Sequence, residues 1–413
     1  MTAPGAAPSR SAPDRHFPCI DGLRAAAALL VLVFHVAGPT GVNQGASWVA
    51  DYTNQFGRLG VSIFFAISGF LLYRPFAMAH LEGRPAPALG PYLRRRFLRI
   101  FPAYWLALLG WALLAAPGVR EGIVDHLLLR VSLLQGYSQA KDGNAAVALS
   151  GVEVAWTLTI ELTFYLVLPL YAWLVRRLGR LLGRKQRLSA EWLGLGGLYA
   201  LGLAGRYLLA DNVLPIGSLF PWTDLFAMGM LIALVRSRQK TGGGTPALFR
   251  LLGRYPLVAF ALAAELVWVV AQLDVARGFA EKSLADEFSR HLCYGLVGFL
   301  LLAPLVFGNQ DRTLYRRALR SRPVRWTGEV SYGIYLWHVL VMRLIVERQP
   351  EPSFWPLFLA TFAITLVIAS ASWLLVERPV QRLHVSRLLP ASRPSARPAE
   401  VATPTPATGG PPP

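Results

Sequence analysis

Residues 20–38 read IDGLRAAAALLVLVFHVAG. Ten consecutive apolar residues, Ala25 to Phe34, separate an arginine from a histidine. Such a run belongs in a protein core or in a bilayer, and the rest of the chain decides which. Apolar segments of similar length recur along the chain, bounded by clusters of arginine. Ten ranges have roughly the 17–25 residues that a helix needs to cross a bilayer. They are 22–41, 59–76, 97–116, 154–175, 191–209, 219–235, 256–273, 291–307, 330–346 and 354–376. The expected fold is all-α, a polytopic membrane protein with about ten transmembrane helices.

Composition agrees. Hydrophobic residues make up 54% of the 413 and charged residues only 15%, where soluble domains carry roughly 25%. A large soluble enzyme is excluded. The net charge of +18 invites a nucleic-acid reading, but the basic residues fall in short clusters between apolar runs and form no continuous stripe. Of the 41 Lys and Arg, 31 lie in alternate inter-span segments. That bias places both termini in the cytosol and requires an even number of spans. Cys19 and Cys293 make neither a disulfide framework nor a zinc pattern, so no metal is expected. The first span follows a Pro/Ala/Ser-rich leader and is expected to stay as a signal anchor in a bacterial cytoplasmic membrane. Residues 1–16 read as a disordered cytosolic leader, 17–384 as the membrane domain, and 385–413 as a disordered Pro/Ala-rich cytosolic tail. The piece at 123–136, with Asp125, His126 and Arg130, reads as an interfacial helix.

Ionisable groups at membrane depth are costly, so each has a functional reading beside a structural one. Arg24 and His35 are eleven residues apart, three turns plus about 20°, and so share one helix face about 16 Å apart. Asp21 is placed to hold the Arg24 guanidinium. The structural alternative is a snorkelling arginine and a histidine bonded to a neighbouring helix. In LGVSIFFAISGFLLYRPF (59–76), Ser62, Ser68 and Gly69 read first as packing residues, and no base is visible beside Ser68. In YLRRRFLRIFPAYW (92–105), Arg96 and Arg99 at i and i+3 suit the phosphates of an anionic donor, beyond positive-inside anchoring.

EVAWTLTIELTFYLVLPL (153–170) sets Glu161 in an apolar helix between Trp156 and Tyr165. Its expected partner is His35 or an arginine, either in a site or as a structural tie. Glu265 is a second mid-span carboxylate, left unassigned. In VSYGIYLWHVLVM (330–342), Ser331, Tyr335 and His338 form a polar stripe that reads first as an interhelical hydrogen-bond seam and second as a substrate wall. In LLVERPVQRL (374–383), Glu377 and Arg378 read as a helix-end charge pair, with Pro379 limiting continuation.

Together these strings resemble the acyltransferase 3 family of membrane O-acyltransferases, in order from Phe17 to about His384. The first span looks like the family opening DGLR…H. FFAISGFLL resembles its glycine-containing second-span signature, and RRFLRIFPAYW carries its Arg-x-x-Arg pair. WTLTIELTFY resembles W-S-L-x-x-E-x-x-F-Y with Thr157 in place of Ser. SYGIYLWH matches the ninth-span pattern, and LLVERP resembles F-x-x-E-x-P with Leu374 in place of Phe.

The resemblance implies transfer of an acyl group, in the simplest case acetyl, from cytosolic acyl-CoA to a hydroxyl of a sugar or glycosylated acceptor. It implies that His35 is central to catalysis, that Arg24, Arg96 and Arg99 are linked to the donor or the reaction centre, and that the chain is the version without an SGNH-hydrolase-like domain. Beside His35 and Arg24, Glu161 is read as the third catalytic candidate, fixing the imidazole tautomer or forming the pocket. Asp21, Ser68, Trp156, Tyr165, Tyr335, His338 and Glu377 are the supporting candidates. The rival class is a transporter of an anionic or acylated solute using the same buried charges; no inverted repeat or pair of matching broken helices supports it.

Overall fold

The structure, a computed structural model, describes residues 17–45, 47–137, 152–210, 217–275, 284–308 and 313–382. The expected leader (1–16) and tail (385–413) and nearly all of the loop at 137–150 lie outside them. Every regular element among the described residues is helical. In chain order these are α1 (Pro18–Ala37), α2 (Trp48–Leu81), α3 (Leu89–Leu114), α4 (Pro117–Asp125) and α5 (Leu127–Val131). Beyond residue 152 come α6 (Ala155–Leu181), α7 (Arg187–Ala210), α8 (Thr223–Lys240), α9 (Ala247–Arg254) and α10 (Pro256–Val275). The chain ends with α11 (Leu284–Phe307), α12 (Leu314–Leu319), α13 (Arg322–Glu329), α14 (Ser331–Val346) and α15 (Phe354–Ser372), the last continued by a π-helical turn, Trp373–Glu377.

The protein is an all-α polytopic membrane protein, but the count of ten spans is not confirmed. Helices occupy all ten expected ranges. Seven are long and apolar enough to cross a membrane, and an eighth qualifies only if α13 and α14, bent by 74°, act as one span. Helices α7 and α8 fall short. Only thirteen residues of α8 precede Arg236, about 20 Å of helix against a hydrocarbon core of about 30 Å. Its interior position explains its polarity. Asp224 at its first turn is buried and accepts a hydrogen bond from His291 Nε2 of α11 at 2.8 Å, so the carboxylate never meets lipid.

Small residues bring the central helices into backbone contact. A Cβ at Gly69 on α2 would collide with the carbonyl of Phe226 on α8, and one at Gly229 on α8 with that of Ala66. Gly60 does the same for α2 against Ala27 of α1. Packing through small residues is what holds helices together where lipid offers no hydrophobic gain. Leu109, Leu113, Leu166, Leu170, Leu257 and Val367 point outward from the bundle, as a lipid-facing surface requires. Between α3 and α6, Val124, Leu128 and Leu134 on and beside the short helices α4 and α5 are likewise exposed.

The chain does not stop at Pro379: helix continues to Arg382. A proline ring clashes with the carbonyl four residues back, and the π-helical turn lies across that stretch, widening the helix where the clash would fall.

Candidate active site

A cavity of about 230 Å³ opens between α1, α2, α3, α6 and α14. Arg24 reaches it from α1, Arg96 and Arg99 from α3, Ser68 from α2, Glu161 and Tyr165 from α6, and Tyr335 from α14. Three arginines thus share one chamber with one carboxylate. The expected i, i+3 pairing of Arg96 and Arg99 on one face of α3 holds. Arg96 lies 5.8 Å from the Tyr165 ring centre and 6.0 Å from that of Tyr92, so aromatic faces position it while its charge is left for a ligand.

Of the partners expected for Glu161, an arginine faces it and His35 does not, and its hydrogen bonds come from two hydroxyls. Its Oε1 accepts from Ser68 Oγ at 2.7 Å and from Tyr165 OH at 2.6 Å. It makes no hydrogen bond to His35, whose imidazole is held elsewhere; its link to Arg24 is electrostatic, across the cavity. The Tyr165 contact is an i+4 pair on one helix and was readable in sequence. Ser68 comes from another helix, presented to the cavity because its neighbour Gly69 is pressed against α8.

His35 does not line this cavity. It lies about three turns beyond Arg24 along α1, half-buried against α14. Its Nδ1 is 2.8 Å from the Val31 carbonyl and 3.2 Å from His338 Nε2, and the two rings meet edge to face at 4.8 Å. His338 Nδ1 is 3.0 Å from the Ile334 carbonyl. A carbonyl only accepts, so each histidine carries its proton on Nδ1. His338 Nε2 is then an acceptor, sharing the His35 Nδ1–H with Val31. The lone pair of His35 lies on Nε2.

Tyr335 joins the two regions. Its ring lines the cavity and lies 6.0 Å from that of His338. Its hydroxyl bonds Thr157 Oγ1 at 2.7 Å, and Thr157 in turn donates to the Val154 carbonyl. The hydroxyl at position 157 is therefore used, and threonine supplies it as serine would. Ser331 also lines the cavity, beside Tyr332, which sequence reasoning passed over. Tyr332 donates to the Ile100 carbonyl of α3 at 2.9 Å; an i, i+3 pairing with Tyr335 was the available signal.

Two supporting residues, Trp156 and Glu377, sit differently from expectation. Trp156 is not a cavity residue; five positions before Glu161 puts it well round the helix, against Trp222 at 5.5 Å. Glu377 is not an exposed helix-end partner of Arg378. It is 3% exposed, accepts from Ser372 Oγ at 3.3 Å, and the cations acting on it are Arg99 and Arg24. The π-helical turn rotates it inward, while Leu374, where the family pattern has Phe, points outward. Asp21 acts electrostatically on Arg24 from one turn away, with its own backbone pressed against Gly328 of α13.

An acyltransferase-domain family model matches residues 17–376. Nodulation protein 10 of Rhizobium leguminosarum bv. viciae is 27% identical, over 92% of this chain and 97% of its own. The peptidoglycan O-acetyltransferase OatA of Listeria monocytogenes is 23% identical over 89% of this chain and 56% of its own. The O-acetyltransferase OatA of Staphylococcus aureus is 23% identical over 89% and 58%. The chain thus spans nearly all of the first relative and little more than half of the other two. No solved structure is significantly similar. With the family model covering the membrane helices and every residue of the arginine-lined cavity, the chain belongs to the acyltransferase 3 family and is a membrane O-acyltransferase.

Proposed function

We propose that the enzyme moves an acyl group, in the simplest case acetyl, from cytosolic acyl-CoA to a hydroxyl of a sugar or glycosylated acceptor. The observation that carries this reading is the cavity in which Arg24, Arg96 and Arg99 converge. Guanidinium groups pair with phosphate oxygens in a bidentate fork and hold their charge when desolvated, so such a chamber suits the phosphates of coenzyme A. Transfer to a carbohydrate oxygen is supported by the peptidoglycan O-acetyltransferase among the relatives.

In this reading, His35 Nε2 takes the proton of the acceptor hydroxyl as its oxygen attacks the thioester carbonyl. The tetrahedral intermediate collapses, the C–S bond breaks, and the imidazolium returns the proton to the departing coenzyme A thiolate. A positioned general base contributes about 10²–10⁴-fold. Glu161 balances the arginine charge and orders the Ser68 and Tyr165 hydroxyls beside the donor. His338 orients the His35 ring.

Purified protein in sealed proteoliposomes, given acetyl-CoA labelled in the acetyl group with a panel of oligosaccharides and glycolipids, is expected to yield a labelled ester that mild alkali cleaves. Label that crosses the bilayer without becoming covalently attached to any acceptor assigns the chain to solute transport and overturns the reading.

A further inference from the structure

A second basic pocket lies away from the first, where α9 meets the end of α11 and the start of α12. It is lined by Arg250, Gly253, Arg254, Thr313, Tyr315 and Arg316, among others, and no carboxylate lines it among the described residues. Two glycines make the junction. A Cβ on Gly253 would stand 3.0 Å from the Phe307 backbone, and one on Gly308 would collide with the Arg316 guanidinium. Arg316 is 1% exposed and fixed, donating from Nε to Tyr315 OH at 2.7 Å and from Nη2 to the Pro304 carbonyl at 2.6 Å. Thr313 Oγ1 is buried beside it with no hydrogen-bond partner. Arg250 and Arg254, one turn apart on α9, are exposed at the rim.

The helix α9 has three faces. Phe249 and Leu252 are buried against the bundle. Arg250 and Arg254 form the second face, and Leu248 and Leu251, both more than half exposed, the third, continued by Leu257 and Val258 of α10. A charged face beside an outward apolar stripe at the end of two membrane-length helices is the pattern of a segment lying at the bilayer boundary. Arginines there meet the headgroups, and leucines meet acyl chains.

We propose that this pocket holds the phosphodiester headgroup of an anionic phospholipid, with Arg250, Arg254 and Arg316 around the phosphate and the acyl chains along Leu248, Leu251 and Leu257. Basic pockets between membrane helices recognise such headgroups by charge and by guanidinium–phosphate pairing. The site is independent of the acyl-transfer chamber, since none of its residues lines that cavity.

The test is native mass spectrometry of the full chain released from nanodiscs of mixed phosphatidylglycerol and phosphatidylcholine, alongside a double variant, Arg250→Gln with Arg254→Gln. Both side chains are exposed, so the variant is expected to insert and elute as wild type does. Wild type is expected to retain phosphatidylglycerol in preference to phosphatidylcholine, and the variant to lose about 30-fold of that preference at roughly 1 kcal/mol per arginine. Equal retention by wild type and variant overturns the proposal. Displacement of the lipid by millimolar inorganic phosphate also overturns it, by assigning the pocket to a soluble phosphate-bearing ligand.

Discussion

Two carboxylates inside the bundle, the half-buried Glu161 and the buried Glu191, look alike on paper: each is glutamate on a long helix, and each is bonded by a tyrosine hydroxyl. Glu191 is 1% exposed, and both its oxygens are taken, Oε1 by His80 Nδ1 at 2.6 Å and Oε2 by Tyr73. The cluster ties α2 to α7. Glu161 has its two hydroxyl partners on Oε1, faces open volume, and looks across it at arginines. A carboxylate satisfied at both oxygens with no space beside it is a strut. One satisfied at a single oxygen, against a cavity of opposite charge, is available to a ligand.

The largest expected effect lies at the catalytic end of that contrast. His35→Ala should lower acyl transfer by about 10²–10⁴-fold while expression, insertion and detergent monodispersity stay near wild type. A well-folded variant that keeps most of its rate would remove His35 from the chemistry. Glu191→Ala should do the reverse. It leaves His80 and Tyr73 buried without their acceptor, at about 1–3 kcal/mol for each unsatisfied donor, so thermal unfolding in detergent should shift downward while turnover per folded molecule changes little. A stable Glu191→Ala protein that is inactive would erase the distinction between strut and site.

Arg96→Ala or Arg99→Ala is expected to raise the KM for acyl-CoA by about 10–100-fold, since a charge-assisted hydrogen bond contributes roughly 1.5–3 kcal/mol. The readout is initial rate against donor concentration at saturating acceptor. An unchanged donor KM in an inserted, folded variant makes these arginines anchors of the basic membrane face and nothing more.

What sequence made legible follows from range. Pairs on one helix were within reach: Arg96 with Arg99 and Glu161 with Tyr165 rest on i, i+3 and i, i+4 geometry. Contacts between helices were not. Nothing local tells that Ser68 meets a carboxylate 93 positions later, or that Asp224 is hydrogen-bonded by His291 inside the bundle, where 219–235 reads as a span although its helix is too short and polar to pass as one. Glu377 was misplaced because a π-helical turn has no plain signature; Pro379 suggested an ending where the helix instead widens. Gly69 was read correctly as a packing residue, since close approach is the commonest use of glycine in such helices.

The smallest effect falls on the longest-range contact, His338 with His35, 303 positions apart. His338 holds no lone pair toward open space: its Nδ1–H is given to Ile334, and its Nε2 receives a share of the His35 proton. Its part is to narrow the range of orientations of a ring whose main anchor is its own helix, at Val31. His338→Ala removes the weaker of two acceptors and should cost about tenfold in kcat, in line with loss of one modest hydrogen bond, with donor KM unchanged. His338→Gln keeps an acceptor oxygen near the position of Nε2 and should recover most of the loss. That rescue separates orientation from packing, because glutamine fills the space of an imidazole poorly yet still receives the proton. If glutamine and alanine are equally impaired, the contact serves packing between α1 and α14, and Val31 alone sets the His35 tautomer.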